Sequence, residues 1–245
     1  MSKKHLVLLP GWGMEKEVFI PLTHLLEPLF HFNFIDWQDI ISGANLEERV
    51  GSFLNDKTKE VYLLGWSMGS IAAINIATKH KNIDGLILVG GTSRFTIMDN
   101  YLSGWNPRIV ERMKKQLRRD KGRTLQAFYH SMFSVHEHEM GDYDKFLRLC
   151  IAGALDNDLN TLIKGLDYLI EQDVREQLAS IDVPSLLIHG VEDNICPVEA
   201  SKYIHTKITN SILHILHHSG HIPFFTEEET CANLIKEFIE ERERR

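Results

Sequence analysis

Leu63-Leu64-Gly65-Trp66-Ser67-Met68-Gly69-Ser70-Ile71 is the stretch whose reading decides the fold. The β-prone run Val61-Tyr62-Leu63-Leu64 leads into a Gly-x-Ser-x-Gly pentapeptide. Ile71-Ala72-Ala73-Ile74-Asn75-Ile76-Ala77 follows, alanine-rich and apolar at helical spacing. Strand, tight turn and helix in that order lift a serine hydroxyl clear of a sheet edge, at the head of a helix whose amides favour negative charge. A side chain at Gly65 or Gly69 would crowd the neighbouring backbone in such a turn. The plain alternative is a glycine-rich turn with an incidental serine, and the rest of the chain decides between them.

Working outward, short apolar runs alternate with helical patterns. Leu6-Val7-Leu8-Leu9 reads as a strand buried on both faces and ends in the loop signal Pro10-Gly11-Trp12-Gly13. A helix is expected over 18–29, a strand over 32–37 and a helix over 46–54, before the stretch quoted above. Leu86-Ile87-Leu88-Val89 is the next strand. From about Arg94 to Gln177 only helical patterns occur. Alternation resumes with a strand over 185–189, a helix over 197–207 and a strand over 211–216. The final helix is expected to start at Thr226 with Glu229 as its capping partner. This implies an α/β fold: a mostly parallel sheet with right-handed crossovers and helices on both faces. The core is expected at 1–93 and 178–245, with a helical lid at 94–177 above the carboxyl ends of the strands, where ligands bind in open sheets.

The 245 residues are 43% apolar and 25% charged, with three scattered cysteines in no C-x-x-C pattern. A chain of this length buries enough surface to need no disulfide or metal staple. The cysteines suit a reducing compartment, no run reaches membrane-spanning length, and Met1-Ser2-Lys3-Lys4 precedes too few apolar residues for a signal peptide. A cytoplasmic, soluble monomer is expected, with no membrane contact. A net charge of −7 argues against nucleic acid as a general partner.

A serine becomes nucleophilic when a base takes its proton and a carboxylate orients that base. On a sheet of this kind the partners follow in the order serine, acid, histidine, each after a late strand. Asp193 fits the acid: it lies four residues past His189 and just before a Pro-started helix. Glu192 is its neighbouring rival, and Asp182 lies at the wrong end of the strand. His221, after Gly220 in the loop past the last strand, fits the base. Ser67, Asp193 and His221 are therefore the candidate catalytic residues. The Met68 and Trp12 N–H groups are the candidate oxyanion donors, Trp12 because glycines on either side let its backbone approach a substrate. His217, His218 and His221 also raise a metal reading, but the spacing is not H-E-x-x-H and no carboxylate lies among them. No metal and no cofactor are expected.

Gly11-Trp12-Gly13, Gly65-Trp66-Ser67-Met68-Gly69, His189-Gly190-x-x-Asp193 and Ser219-Gly220-His221-x-Pro223-Phe224 resemble the α/β-hydrolases over nearly the whole chain. The tryptophan in both of the first two motifs resembles, more narrowly, the biotin-pathway carboxylesterases, which hydrolyse the methyl ester of pimeloyl-acyl carrier protein. Pro10 and Phe19 depart from that pattern, standing where histidine and tryptophan are common. The resemblance implies a serine carboxylesterase working through an acyl-enzyme. It also implies an acyl channel lined by Trp12, Phe128, Tyr129, Met132 and His221; an apolar helix face packed on the core explains Phe128, Tyr129 and Met132 equally well.

Between Arg108 and Arg123 stand eight basic residues against two acidic ones. Ile109, Met113 and Leu117 mark one helical face, and Arg108, Arg112, Lys115 and Arg119 an adjacent one, continued by Arg123. A basic stripe on an acidic protein suits an acidic macromolecule such as the carrier protein; a solvated helix face is the alternative. A general short-chain esterase, a menaquinone-pathway lyase and a non-hydrolytic binding protein on the same fold remain open as other functions.

Overall fold

Buried, mainly apolar runs form the central strands: β1 (Lys4–Leu9), β3 (Val61–Trp66), β4 (Gly85–Val89) and β5 (Ser185–Gly190). Partly exposed strands β2 (Phe30–Phe34) and β6 (Ser211–Leu216) flank them. All pairs are parallel, in the order β2-β1-β3-β4-β5-β6. The computed structural model describes residues 3–37, 43–56 and 58–244. Met1, Ser2 and Arg245, the outermost residues of the expected core, lie outside them.

The helices are α1 (Ile20–Leu26), α2 (Gly43–Leu54), α3 (Met68–Lys79), α4 (Pro107–Arg119), α5 (Lys121–Ser131), α6 (Val135–Glu139), α7 (Asp142–Asp156), α8 (Leu159–Glu171), α9 (Val198–Lys207), α10 (Pro223–Thr226) and α11 (Glu228–Glu243). The strand order steps one way from β1 to β2 and the other way ever after. Right-handed crossovers then put α1 on one face and α2, α3 and α9 on the other. α11 packs on α1 and completes the first layer. The reversal point lies between β1 and β3, so the Trp12 loop and Ser67 emerge side by side at the crevice where ligands bind open sheets.

Between β4 and β5 the described chain is helical, with isolated bridges but no strand. Its two ends meet: Arg94 bridges Asp173, and their side chains pair at 2.9 Å. No helix among the described residues is long and apolar enough to cross a membrane.

Several expected boundaries move. The helix expected at 18–29 is a 3₁₀ turn (Lys16–Phe19) followed by the short α1, because Pro21 favours a helix start and Pro28 cannot continue one. The strand expected at 32–37 pairs from Phe30 to Phe34 and then leaves the sheet; the Trp37 indole instead donates to the Pro10 carbonyl at 2.9 Å. Thr226 does not cap the last helix; α11 starts at Glu228, and its N-cap Glu227 makes no side-chain cap. On α4 the buried face is Val110, Met113 and Leu117, while Ile109 is 52% exposed.

Candidate active site

The elbow is built as the strand–turn–helix pattern requires. Ser67 has φ 55° and ψ −117°, and it is the one non-glycine residue with positive φ among those described. Such a conformation costs of order 1–3 kcal/mol and persists only when its surroundings over-determine it. The Ser67 N–H donates to the Val89 carbonyl at 3.1 Å, and its carbonyl accepts from the Ser70 N–H at 2.9 Å. A Cβ at Gly69 would lie 2.0 Å from the Leu9 carbonyl oxygen, and one at Gly65 would lie 2.4 Å from the Gly69 oxygen. Neither position admits a side chain.

Asp193 and His221 come together from the loops after β5 and β6. The Asp193 Oδ2 to His221 Nδ1 distance is 2.7 Å, and both residues are buried. Asp193 Oδ1 accepts the Ile195 and Cys196 N–H groups, each at 2.8 Å. His189 Nε2 approaches Oδ2 at 3.2 Å and the Cys196 carbonyl at 2.8 Å. Both partners are acceptors, so Nε2 carries the proton and Nδ1 accepts from the Ser201 hydroxyl at 2.6 Å. Burial pulls the Asp193 carboxyl upward, but His221 and His189 beside it outweigh that and hold it well below the usual carboxylate range. An ionised Asp193 orients the His221 ring with Nδ1–H toward it, leaving Nε2 bare. That nitrogen is buried without a partner.

The backbone of His221 is held as firmly as its ring. Its N–H donates to the Met132 carbonyl at 2.7 Å, and its carbonyl accepts from Trp66 Nε1–H at 2.8 Å. Trp66 packs edge-on against Phe224, which stacks on Phe19 at 5.0 Å. Phe19, in place of the tryptophan common in the resembled family, therefore fills the layer beneath this strut. The Ser67 hydroxyl neighbours the Cys196 thiol, and no hydrogen bond joins it to the bare imidazole nitrogen. Burial, reinforced by the Asp193 charge, pushes that thiol well above its ordinary range, so Cys196 is a neutral neighbour.

Trp12 and Met68 flank Ser67, and neither backbone N–H takes an acceptor among the described residues. The Trp12 indole donates to the Leu162 carbonyl at 2.8 Å and meets Phe128 edge-on at 5.0 Å. Ser67 opens into a narrow cavity walled by Trp12, Phe95, Trp105, Met113, Phe128 and Leu166. Trp12 is shared with a second cavity, lined also by Trp37, Met68 and Tyr168, that Ser67 does not reach.

Tyr129 and Met132, expected on the acyl channel, are buried away from that wall. The Tyr129 hydroxyl donates to the Gly13 carbonyl at 3.2 Å, and Met132 contributes its carbonyl to His221. Tyr129 points elsewhere because an i, i+1 pair such as Phe128 and Tyr129 cannot face the same way on a helix, and Met132 lies past the end of α5, at its C-cap. Phe95, Trp105 and Leu166 carry no local motif and were not anticipated. His189 and Trp66 sit inside the quoted motifs, yet nothing in their spacing announces their hydrogen bonds. His217 and His218 are exposed, and among the described residues no group of three His, Cys, Asp or Glu is placed to hold a metal.

Arg112, Arg119 and Arg123 line an open groove with Trp105, Met113 and Phe128, three residues that also wall the Ser67 cavity. Arg108 and Lys115 are exposed on α4 outside that lining. Lys114, one of the eight basic residues of the segment, is paired with Glu111 at 2.7 Å and Asp167 at 2.6 Å.

Residues 57–228 match the family model described as the alpha/beta hydrolase fold, and the chain belongs to that family. The pimeloyl-[acyl-carrier protein] methyl ester esterase of Yersinia enterocolitica is 27% identical over 242 residues, 96% of this chain and 93% of the relative. Among solved structures, an esterase from Exiguobacterium antarcticum superposes with a TM-score of 0.84 at 24% identity, covering 98% of this chain and 92% of its own. A bromoperoxidase from Bacillus anthracis reaches 0.89 at 18% identity, with the same coverage of 98% and 92%. Two differently named activities on one superposable scaffold show that the fold alone does not choose the reaction.

Proposed function

We propose that this protein is a serine carboxylesterase that hydrolyses the methyl ester of pimeloyl-acyl carrier protein in biotin synthesis, in the cytoplasm. The observation that carries the serine mechanism is His221 Nε2: a buried lone pair without a partner, on a ring whose other nitrogen is held by an ionised carboxylate. A bare buried acceptor costs free energy unless a donor reaches it, and Ser67 is the nearby hydroxyl of the elbow. In the reaction His221 Nε2 takes the Ser67 Oγ proton as Oγ bonds to the ester carbonyl carbon. The carbonyl oxygen becomes an oxyanion facing the Met68 and Trp12 N–H groups. The C–O bond to methanol breaks, and His221 returns its proton to the departing methoxide oxygen. Water then repeats the sequence on the acyl-enzyme, releasing the acid and free Ser67.

The substrate assignment is supported by the activity for which the Yersinia relative is named, and by a groove with three guanidinium groups that shares walls with the Ser67 cavity. We read 94–177 as a lid that carries the acyl channel and the carrier-docking surface, with Arg112, Arg119 and Arg123 as its centre. The test is release of acid from pimeloyl-acyl carrier protein methyl ester, with Ser67→Ala as blank and a salt series. Turnover absent from the blank and weakening with salt is expected, because exposed charges are screened over about 8 Å at physiological ionic strength. Cleavage of simple esters with the carrier ester untouched would remove the biotin assignment and leave the hydrolase.

A further inference from the structure

Glu137 is an acidic side chain in the interior, 3% exposed, on the five-residue helix α6. Part of its role is local. With Ser134 it forms a capping box: the Glu137 N–H donates to Ser134 Oγ at 3.1 Å, and the Ser134 N–H donates to Glu137 Oε2 at 2.7 Å. A capping box needs nothing further from its carboxylate and is commonly solvated.

Here the same carboxylate reaches out of its helix. Oε2 also accepts the Gly220 N–H at 3.0 Å, one residue before His221, and Oε1 accepts the Thr226 hydroxyl at 2.6 Å. The adjacent His221 N–H is taken by Met132, just ahead of the same cap, and Ser134 Oγ–H donates to the His218 carbonyl at 2.8 Å. The contact is too close for a side chain on the loop: a Cβ at Gly220 would lie 2.4 Å from the Met132 oxygen and 2.8 Å from Glu137 Oε2. Residues 132–137 and 218–221 are thus one hydrogen-bonded unit, with Glu137 as the acceptor that joins two of its donors to the Thr226 hydroxyl of α10. Burial raises the Glu137 carboxyl above its ordinary range, opposed by the bonds from Thr226, Ser134 and Gly220. The site therefore keeps an acid where an apolar residue would bury more cheaply.

Building on the serine-hydrolase reading above, we propose that Glu137 is a positioning residue for His221: its carboxylate ties the helical region to the Gly220–His221 backbone and sets where the imidazole meets Ser67. It acts through accepted hydrogen bonds. A glutamine retains an oxygen for both backbone N–H groups and places its amide against Thr226. Alanine leaves two buried donors unpaired, and aspartate, one methylene shorter, spans the cap but not the reach to Gly220.

The experiment is the rate at which a fluorophosphonate labels Ser67 in the full chain, which reads the serine–histidine pair without depending on the natural ester. Melting temperatures and kcat and KM for a simple ester are recorded alongside. Glu137→Ala is expected to slow labelling by about 10- to 100-fold, the scale of a misplaced catalytic group, with KM little changed. Glu137→Asp is expected to be slow as well, and Glu137→Gln to restore the rate. Ser134→Ala breaks the cap and the bond to His218 but leaves Gly220 tied to Glu137, so it should slow labelling less than Glu137→Ala does. Wild-type labelling rates in Glu137→Asp, or in a folded Glu137→Ala, overturn the proposal; so does a glutamine variant as slow as alanine. If Glu137→Ala does not fold, the Asp and Gln variants decide it. Wild-type protein that labels no faster than Ser67→Ala refutes instead the serine-hydrolase reading on which the proposal stands.

Discussion

The Asp193–His221 pair and the guanidinium groups of α4 and α5 serve neighbouring cavities, yet they are built by opposite means. Asp193 and His221 are held at strand ends by short hydrogen bonds inside the protein, where each group has one position. Arg112, Arg119 and Arg123 are exposed on helical surface, where many side-chain positions serve equally. The first arrangement spends conformational freedom to obtain geometry, as bond-making requires. The second keeps its freedom and, in the proposed docking role, works through a field, which suffices to gather an acidic partner. Loss of a buried group should therefore be abrupt and insensitive to salt, and loss of a surface group graded and salt-dependent.

The largest break in this comparison is Ser67→Ala, expected to lower kcat by about 10⁶ at any ionic strength. Residual turnover within a factor of ten of wild type would mean that another group is the nucleophile. Asp193→Asn should cost about 10⁴ in kcat, because the imidazole loses the partner that fixes its tautomer. That variant also carries a pH signature. The Asp193 carboxyl is depressed in the folded protein, so its contribution to stability is fully present above its ordinary value near 3.8 and is lost as pH falls toward the folded value. The difference in unfolding free energy between wild type and Asp193→Asn should be flat above about pH 5 and shrink below about pH 4. Urea titrations across that window check it; a difference growing toward acid would reverse the assignment.

Replacing Arg112, Arg119 and Arg123 together by alanine should reduce kcat/KM for the carrier ester by about 10- to 100-fold at low salt and hardly at all at high salt. Hydrolysis of a simple uncharged ester should not change. Equal losses on both substrates would make the groove part of the acyl site. The smallest effect expected is from Arg108→Ala: exposed on α4 but outside the groove, it should alter carrier turnover by no more than about twofold. An effect as large as the triple variant would show that total charge, rather than the groove, steers the partner.

Much of the fold was legible because buried parallel strands are continuous apolar runs closed by turn residues. β6 coincides with residues 211–216, and β4 and β5 differ from expectation by a residue at one end. The elbow was legible because its glycines bracket the serine at fixed spacing; Gly65 is demanded by the backbone of Gly69 and Ser70, whereas Gly69 is demanded by Leu9 on the neighbouring strand. Helix details were less so. On α4, Ile109 and Val110 are adjacent apolar residues, and only the position of the neighbouring helix decides that Val110 turns inward. Thr226 and Glu229 form a sound capping pattern, but the Thr226 hydroxyl is taken by Glu137. Ser134-Val135-His136-Glu137 has the same pattern and does form the box. Local signals of equal strength were thus resolved by contacts 89 residues away.

By itself, the sequence determined the strand order of events: a serine on a glycine-bounded turn, an aspartate after the fifth strand and a histidine after the sixth. These follow largely from backbone sterics and apolar periodicity, which act over a few residues; the demand at Gly69 comes instead from Leu9 on β1. The tertiary structure alone decided what holds them: Trp66 on the His221 carbonyl, His189 on Asp193, Met132 and Glu137 on the base loop, and Tyr129 behind Trp12 rather than in the cavity. Each of these bonds joins groups by direction and distance across packed elements. Hydrogen bonds are specified at tenths of an ångström, whereas the patterns that build helices and strands specify only which face is buried.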